Sequence, residues 1–236
     1  LSSSGGQASA GVNGGNTYTI TPGAALGSGL ANYSITYIDG AMTVTPAPIT
    51  VSATAASMVY GSSAPSLVYT YTGLVNGDAS ANFSGGLITT ATSSSNVGSN
   101  YLISRGTLAV SGDYALTNCV PANITVTPAS ITISAAKVYD ASTAVAASGL
   151  TITGILGQTL GVVSGGAVLT NPNVGSAALQ SLNNLVLANG TGLASNYTVI
   201  NPTFGSVTIS PAPLTVRATA ASMVYGSAVP SLAYTL

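Results

Sequence analysis

Apolar and hydroxyl residues alternate in short runs along the whole chain. The runs are Ile35 and Tyr37, Met42 and Val44, Ile49 and Val51, Ile124 and Val126, Ile131 and Ile133, Val207 and Ile209, and Leu214 and Val216, with Thr or Ser between many of them. Side chains of a strand point to opposite faces in turn, so β-branched residues with period two predict half-buried strands. Asp39-Gly40 predicts a hairpin between 33–38 and 41–45, because Gly accepts positive φ there. Asn76-Gly77-Asp78 and Ser111-Gly112-Asp113 predict further turns. Helical periodicity is weak everywhere, with 177–187 the one candidate. The expected fold class is all-β, built of small sandwich-like or β-grasp-like modules.

The strands recur in a long period. Thr-Pro-Ala-Pro-Ile-Thr-Val at 45–51, Thr-Pro-Ala-Ser-Ile-Thr-Ile at 127–133 and Ser-Pro-Ala-Pro-Leu-Thr-Val at 210–216 set Pro46, Pro128 and Pro211 apart by 82 and 83 residues. At twice the period the match is closer: 46–71 and 211–236 agree at 20 of 26 positions. A second landmark precedes each proline by 13 or 14 residues: Asn32-Tyr33, Asp113-Tyr114 and Asn196-Tyr197. A third comes after it: Tyr60-Gly61, Tyr139-Asp140 and Tyr225-Gly226. A fixed long period marks an array of copied units. The expected organisation is the C-terminal part of a module at 1–45, complete modules at 46–127 and 128–210, and the N-terminal part of a further one at 211–236. Both ends then fall inside a unit, so the chain is expected to be a stretch of a longer polypeptide. Proline lacks an amide hydrogen and holds the preceding residue extended, so Pro46, Pro128 and Pro211 are expected to be short, stiff module junctions that string the units into a rod.

Composition narrows the possible partners. Only 3% of residues are charged, against about 25% in ordinary domains. Disordered chains combine low hydrophobicity with high net charge, whereas this one is 46% hydrophobic with a net charge of −1. It can bury a core. Nucleic acid is excluded as a partner, since neutralising phosphate takes clustered Lys and Arg. Trypsin-like proteases have only Arg105, Lys137 and Arg217 to attack. No apolar run of about 18 residues predicts a transmembrane segment.

The same inventory limits chemistry. Without His or Glu there is no His-based triad, paired-Glu glycosidase site or histidine-rich metal site, and no enzyme, cofactor or metal is expected. Asp39, Asp78, Asp113 and Asp140 are scattered at turn-like positions, which favours turn stabilisation over a calcium site. The lone Cys119 cannot form an intrachain disulfide and reads as a small apolar strand residue. The recurring Tyr60-Gly61, Tyr139-Asp140 and Tyr225-Gly226 read as a structural motif, each Tyr closing the core edge before a tight turn, ahead of an aromatic platform for a sugar. Lys137 reads as a solvated lysine loosely paired with Asp140, ahead of a lysine–asparagine isopeptide crosslink.

The phrases Asn32-Tyr-Ser-Ile-Thr-Tyr-Ile-Asp-Gly-Ala-Met-Thr-Val-Thr-Pro-Ala-Pro and Met58-Val-Tyr-Gly with Pro65 resemble MBG repeat modules, and Lys137-Val-Tyr-Asp resembles the YDG type, with Ala141 where that type usually shows Gly. The resemblance implies large secreted or surface adhesins of Gram-negative bacteria, many of them filamentous-haemagglutinin-like exoproteins. The expected function is a structural and adhesive repeat region, a stalk or adhesive tract outside the cell. Its expected partners are a host or neighbouring-cell surface, glycans included. The alternatives are a self-assembling extracellular filament completed by strand exchange between subunits, and a carbohydrate-binding module.

Overall fold

The computed structural model describes the backbone of residues 1–236 and every side chain except those of residues 99, 201, 202 and 206. Its contacts divide the chain into two units, Leu1–Thr127 and Pro128–Leu236. Both are built of strands, and the helical residues are single turns of 3-10 helix. The fold is all-β and sandwich-like.

The first unit holds β1 (Tyr18–Ile20), β2 (Gly40–Met42), β3 (Ala47–Ala53), β4 (Ala56–Val59), β5 (Tyr69–Thr72), β6 (Asn82–Ser84), β7 (Ile88–Thr89), β8 (Gly98–Ser104), β9 (Ala109–Ser111), β10 (Tyr114–Val120) and β11 (Ala122–Thr127). One sheet has the order β10-β3-β5, another β4-β11-β8-β7, and β1-β2 and β6-β9 are antiparallel pairs. Alternation places Ile49 and Val51 of β3 inward, where they pack with Leu108 and Tyr114; Ile124 and Val126 do the same on β11. Each such aliphatic side chain contributes about 1.5–3 kcal/mol by leaving water. Pro48 lies inside β3, but β5 pairs only with Thr50 to Ala53, so its missing amide breaks no bond on that flank.

The second unit holds β12 (Ala129–Val138), β13 (Ala144–Ala146), β14 (Leu150–Thr153), β15 (Thr159–Leu169), β16 (Gly175–Ala177), β17 (Leu179–Ala188), β18 (Tyr197–Ser210), β19 (Arg217–Ala218) and β20 (Tyr234–Thr235). Its large sheet runs β13-β15-β14-β12-β18-β16, with β17 on β15. Ala129, Ile131, Ile133 and Ala135 alternate into the core along β12, as Val207 and Ile209 do on β18, with Ala135 level with Val207.

One pairing is common to both units. Strands that follow a proline run parallel to strands near the end of the same stretch: β3 beside β10 and then β4 beside β11 in the first unit, β12 beside β18 in the second. All other pairs are antiparallel. Pro46, Pro128 and Pro211 lie outside every strand, each directly before or after one of these parallel partners.

Three expectations need correction. Asp39-Gly40 is no hairpin turn: Gly40 opens β2, whose partner is Tyr18–Ile20, and 33–38 forms no strand. Its alternating residues Tyr33, Ile35 and Tyr37 have no ladder to join and stay exposed. The segment 177–187 is no helix; it falls in β16 and β17, because β15 supplies a long antiparallel partner that outweighs weak local preference. Leu214 and Val216 are exposed and unpaired, since 211–236 forms only the β19–β20 ladder.

Protease accessibility can be read from this placement. Arg105 starts a tight turn closed by the Leu108 amide on its own carbonyl, Lys137 lies in β12, and Arg217 sits in the exposed 211–236 segment. Limited trypsin digestion followed by mass spectrometry is expected to cut first after Arg217 and to leave 1–217 intact, because a protease needs several extended, accessible residues.

Candidate functional site

Four of the tyrosines singled out from sequence, Tyr60, Tyr114, Tyr139 and Tyr197, stand at the ends of the parallel ladders. At the start, Tyr114 is the register partner of Ala47 and Tyr197 that of Ala129, the residues after Pro46 and Pro128. Both rings are buried, and both hydroxyls reach across to a tight turn. Tyr114 donates to Asp78 Oδ2 at 2.6 Å, lies 3.3 Å from the Val75 carbonyl, and accepts from the Val75 amide at 3.1 Å. Tyr197 donates to Gln158 Oε1 at 2.6 Å and lies 3.3 Å from the Ile155 carbonyl.

The two turns have the same construction. In Val75–Asp78, Asn76 and Gly77 have φ of 55° and 80°, and the Asp78 amide bonds the Val75 carbonyl. In Ile155–Gln158, Leu156 and Gly157 have φ of 55° and 70°, and the Gln158 amide bonds the Ile155 carbonyl. Two successive left-handed residues make a type I′ turn. Tyrosine thus reads the first carbonyl and the fourth side chain of a turn far away in sequence. Gly154 allows this in the second unit, because a Cβ there would overlap the Tyr197 ring. The sequence reading marked Asn76-Gly77-Asp78 as a turn and missed 155–158, where Leu156 hides the signal. The shared order of Thr-Gly followed, after two or three apolar or amide residues, by a second Gly and an Asp or Gln, at 72–78 and 153–158, would have found it.

At the finish of each ladder stand Tyr60 and Tyr139. Their shared feature is the backbone: the Tyr60 amide bonds the Thr127 carbonyl and the Tyr139 amide the Ser210 carbonyl, both at 2.9 Å. Thr127 and Ser210 are the residues before Pro128 and Pro211. The side chains differ, since Tyr60 is 4% exposed, Tyr139 is 40% exposed and Tyr225 is fully exposed. A ring buried like that of Tyr60 offers no face to a sugar.

The backbone just beyond each tyrosine also differs. Val59–Ser62 is a turn with Gly61 at φ 89°, closed by the Ser62 amide on the Val59 carbonyl at 3.0 Å and by the Ser62 hydroxyl at 2.5 Å. Positive φ at the third residue alone makes it type II, a position suited to Gly. Val224–Ser227 repeats it with Gly226 at 83°. After Tyr139 a charged clamp replaces this turn. Lys137 Nζ lies 2.7 Å from Asp140 Oδ1 and donates to the carbonyls of Ser142 and Ala144 at 2.8 and 2.7 Å, while Asp140 Oδ1 also accepts the Ser142 amide at 2.9 Å. The lysine side chain is largely buried, so the expected solvated lysine is corrected to one holding three acceptors. Its hydrogen bonds, first of all that from Lys137, hold the Asp140 carboxyl below its ordinary value. That contribution to stability is fully present above the ordinary carboxyl range and is lost as pH falls through the lowered value.

Asp113 Oδ1 accepts the Val12 amide at 2.6 Å, and Asp39 is exposed. A cleft of about 370 Å³ in the first unit is lined by Asp78, Asp113 and Tyr114, but these are the carboxylates already engaged by a hydroxyl and an amide. Among the described residues no group of three or more His, Cys, Asp or Glu is placed to hold a metal ion. Cys119 is half-buried on β10, level with Val51, and packs against the core. The arrangement can fasten strand ends.

Residues 49–125 match the family model of the MBG domain (YGX type), and residues 120–204 match that of the YDG domain. No curated protein and no solved structure matches the chain.

Two measurements test the fastenings. Ala141, with φ 60°, holds a left-handed conformation that costs an L-residue about 1–2 kcal/mol, part of which glycine's greater freedom in the unfolded chain offsets. Ala141→Gly is therefore expected to stabilise the second unit by about 1 kcal/mol in urea unfolding. The hydrogen bond to the Asp78 carboxylate, first among the causes, raises the Tyr114 hydroxyl above its ordinary value. The folded unit therefore keeps a proton that the unfolded chain loses, and stability falls as pH rises through about 10. Melting curves should show the wild type ahead of Tyr114→Phe at pH 8 (about 2 units below the ordinary tyrosine value), with the gap shrinking as pH rises through that value.

Proposed function

We propose that this chain, whose residues 49–125 match the MBG domain (YGX type) and 120–204 the YDG domain, is a stretch of the repeat tract of an exported bacterial surface protein, a stalk or adhesive tract that holds binding surfaces outside the cell. The parallel pairing of first and last strands carries this reading. A chain that starts and finishes a module on parallel neighbours comes in at one end of the sheet and leaves at the other. In the second unit Ala129 is level with Tyr197 and Val138 with Ser210, and β12 is ten residues long. Incoming and outgoing chain are thus about 30 Å apart at about 3.3 Å per residue. A module that displaces the chain in this way gains distance with every copy, which is what a tract needs. We take the modules as 46–127 and 128–210, with Pro46, Pro128 and Pro211 as junctions. Neither domain belongs to an enzymatic family, and the side chains gathered at the ladder ends are engaged in fastening.

A second reading rests on a different observation. Leu214, Val216, Met223 and Tyr225 are exposed, whereas their counterparts Ile49, Val51, Met58 and Tyr60 are buried under the partners that β10 and β11 supply. Strands donated by a second copy would cover them, giving a filament.

With 3% charged residues, attachment has to come from many uncharged contacts added by multivalency rather than from steered ion pairs. Beads coated with the purified chain are expected to adhere to cell or polysaccharide surfaces with a strength that rises steeply with coating density and is unchanged across about a tenfold range of salt. Adhesion that is absent, or that salt abolishes, removes the adhesive reading. Continuous fibres in micrographs of the same material would favour assembly.

A further inference from the structure

The parallel ladder has a mechanical consequence, and we infer that each module is a shear clamp: a unit whose resistance to pulling along the chain comes from the hydrogen bonds between its first and last strands, strained all at once. The inference rests on the tract reading above, in which the chain is under tension between a cell and what it holds. Its geometry is that of the fold alone.

In the second unit β12 and β18 point the same way, with Ala129 level with Tyr197 at one end and Val138 level with Ser210 at the other. Tension reaches β12 through its first residue and β18 through its last. The two strands are therefore drawn in opposite directions along their common axis. No single bond lies at the front of the load, as it would if the strands were peeled apart from one end. The whole ladder must shear together, and Ile131, Ile133, Val207 and Ile209 must slide through the packed core as it does.

The fastenings lie where such a device needs them. Tyr197 holds the start of β18 to the 155–158 turn, while the Tyr139 amide on the Ser210 carbonyl extends the ladder to the last residue before Pro211. Proline beside each strand end lets no flexible linker absorb the pull. The first unit repeats the plan in two segments, Ala47 to Ser52 against Tyr114 to Val120 and Ala56 to Val59 against Ile124 to Thr127, with Tyr114 at one end and the Tyr60 amide at the other.

Direction of pulling tests this in one folded molecule. In the full chain with Cys119→Ser, handles are attached through Ser130→Cys and Ser210→Cys to load the ladder in shear, or through Ser130→Cys and Thr198→Cys, register partners at the same end, to peel it. Single-molecule force spectroscopy is expected to give an unfolding force severalfold higher for the first pair than for the second. Equal forces, or a stronger peel, would overturn the clamp. Pulling through terminal tags on residues 1 and 236 needs no substitution within a strand. It is expected to show two unfolding events, both at or above the peeling force, and events below it also count against the clamp. The outcomes separate from the tract reading: a protein found only inside the cell ends that reading and leaves the force ratio untouched, whereas equal forces end the clamp and leave surface exposure untouched.

Discussion

The rest of this structure depends on a parallel ladder between the first and last strands of a module. It joins residues far apart in the chain, so forming it has to overcome the entropy of closing the whole intervening segment. Once formed, it decides where the chain comes in and where it leaves. An antiparallel pair at the same place would return the chain to the end at which it started. Parallel pairing is the less common choice and demands a long crossover, which here is the remainder of the module.

Fastening the ends of that ladder takes few charges. Lys137 and Asp140 form the one ion pair found among the described residues, and it replaces, in the second unit, what a Gly-Ser turn does in the first. Elsewhere tyrosine hydroxyls, amide side chains and backbone do the holding. A chain with 3% charged residues satisfies its polar groups in this way: among the described residues no buried side-chain nitrogen or oxygen lacks a partner.

Much of the candidate site was legible as landmarks and little of it as geometry. Tyr33, Tyr114 and Tyr197 recur before the prolines, and Tyr60, Tyr139 and Tyr225 after them, so periodicity alone marks both sets. That Tyr114 and Tyr197 fasten the start of a ladder and Tyr60 and Tyr139 its finish, while Tyr33 and Tyr225 stand exposed, needs the register, which places Tyr114 beside Ala47 and Thr127 beside Val59. The Tyr60 phrase read as a side-chain motif, yet what Tyr60 and Tyr139 share is an amide hydrogen, and any residue but proline carries one. Lys137 looked solvated because its two carbonyl acceptors, on Ser142 and Ala144, leave no mark in residue type.

The clearest division lies between 46–71 and 211–236, which are nearly one sequence. Both make the Val-Tyr-Gly-Ser turn with the same hydrogen bonds, since glycine's left-handed φ and a serine hydroxyl three residues from its acceptor are local matters. The sequence by itself therefore determined the turns, the period-two faces and the repeat. It did not determine whether a face is used: Ile49 and Val51 are wholly buried, while Leu214 and Val216 in the same phrase stand exposed. A strand becomes one when another supplies its hydrogen bonds and covers its apolar side, and that partner lies far along the chain, so only the tertiary structure decides it.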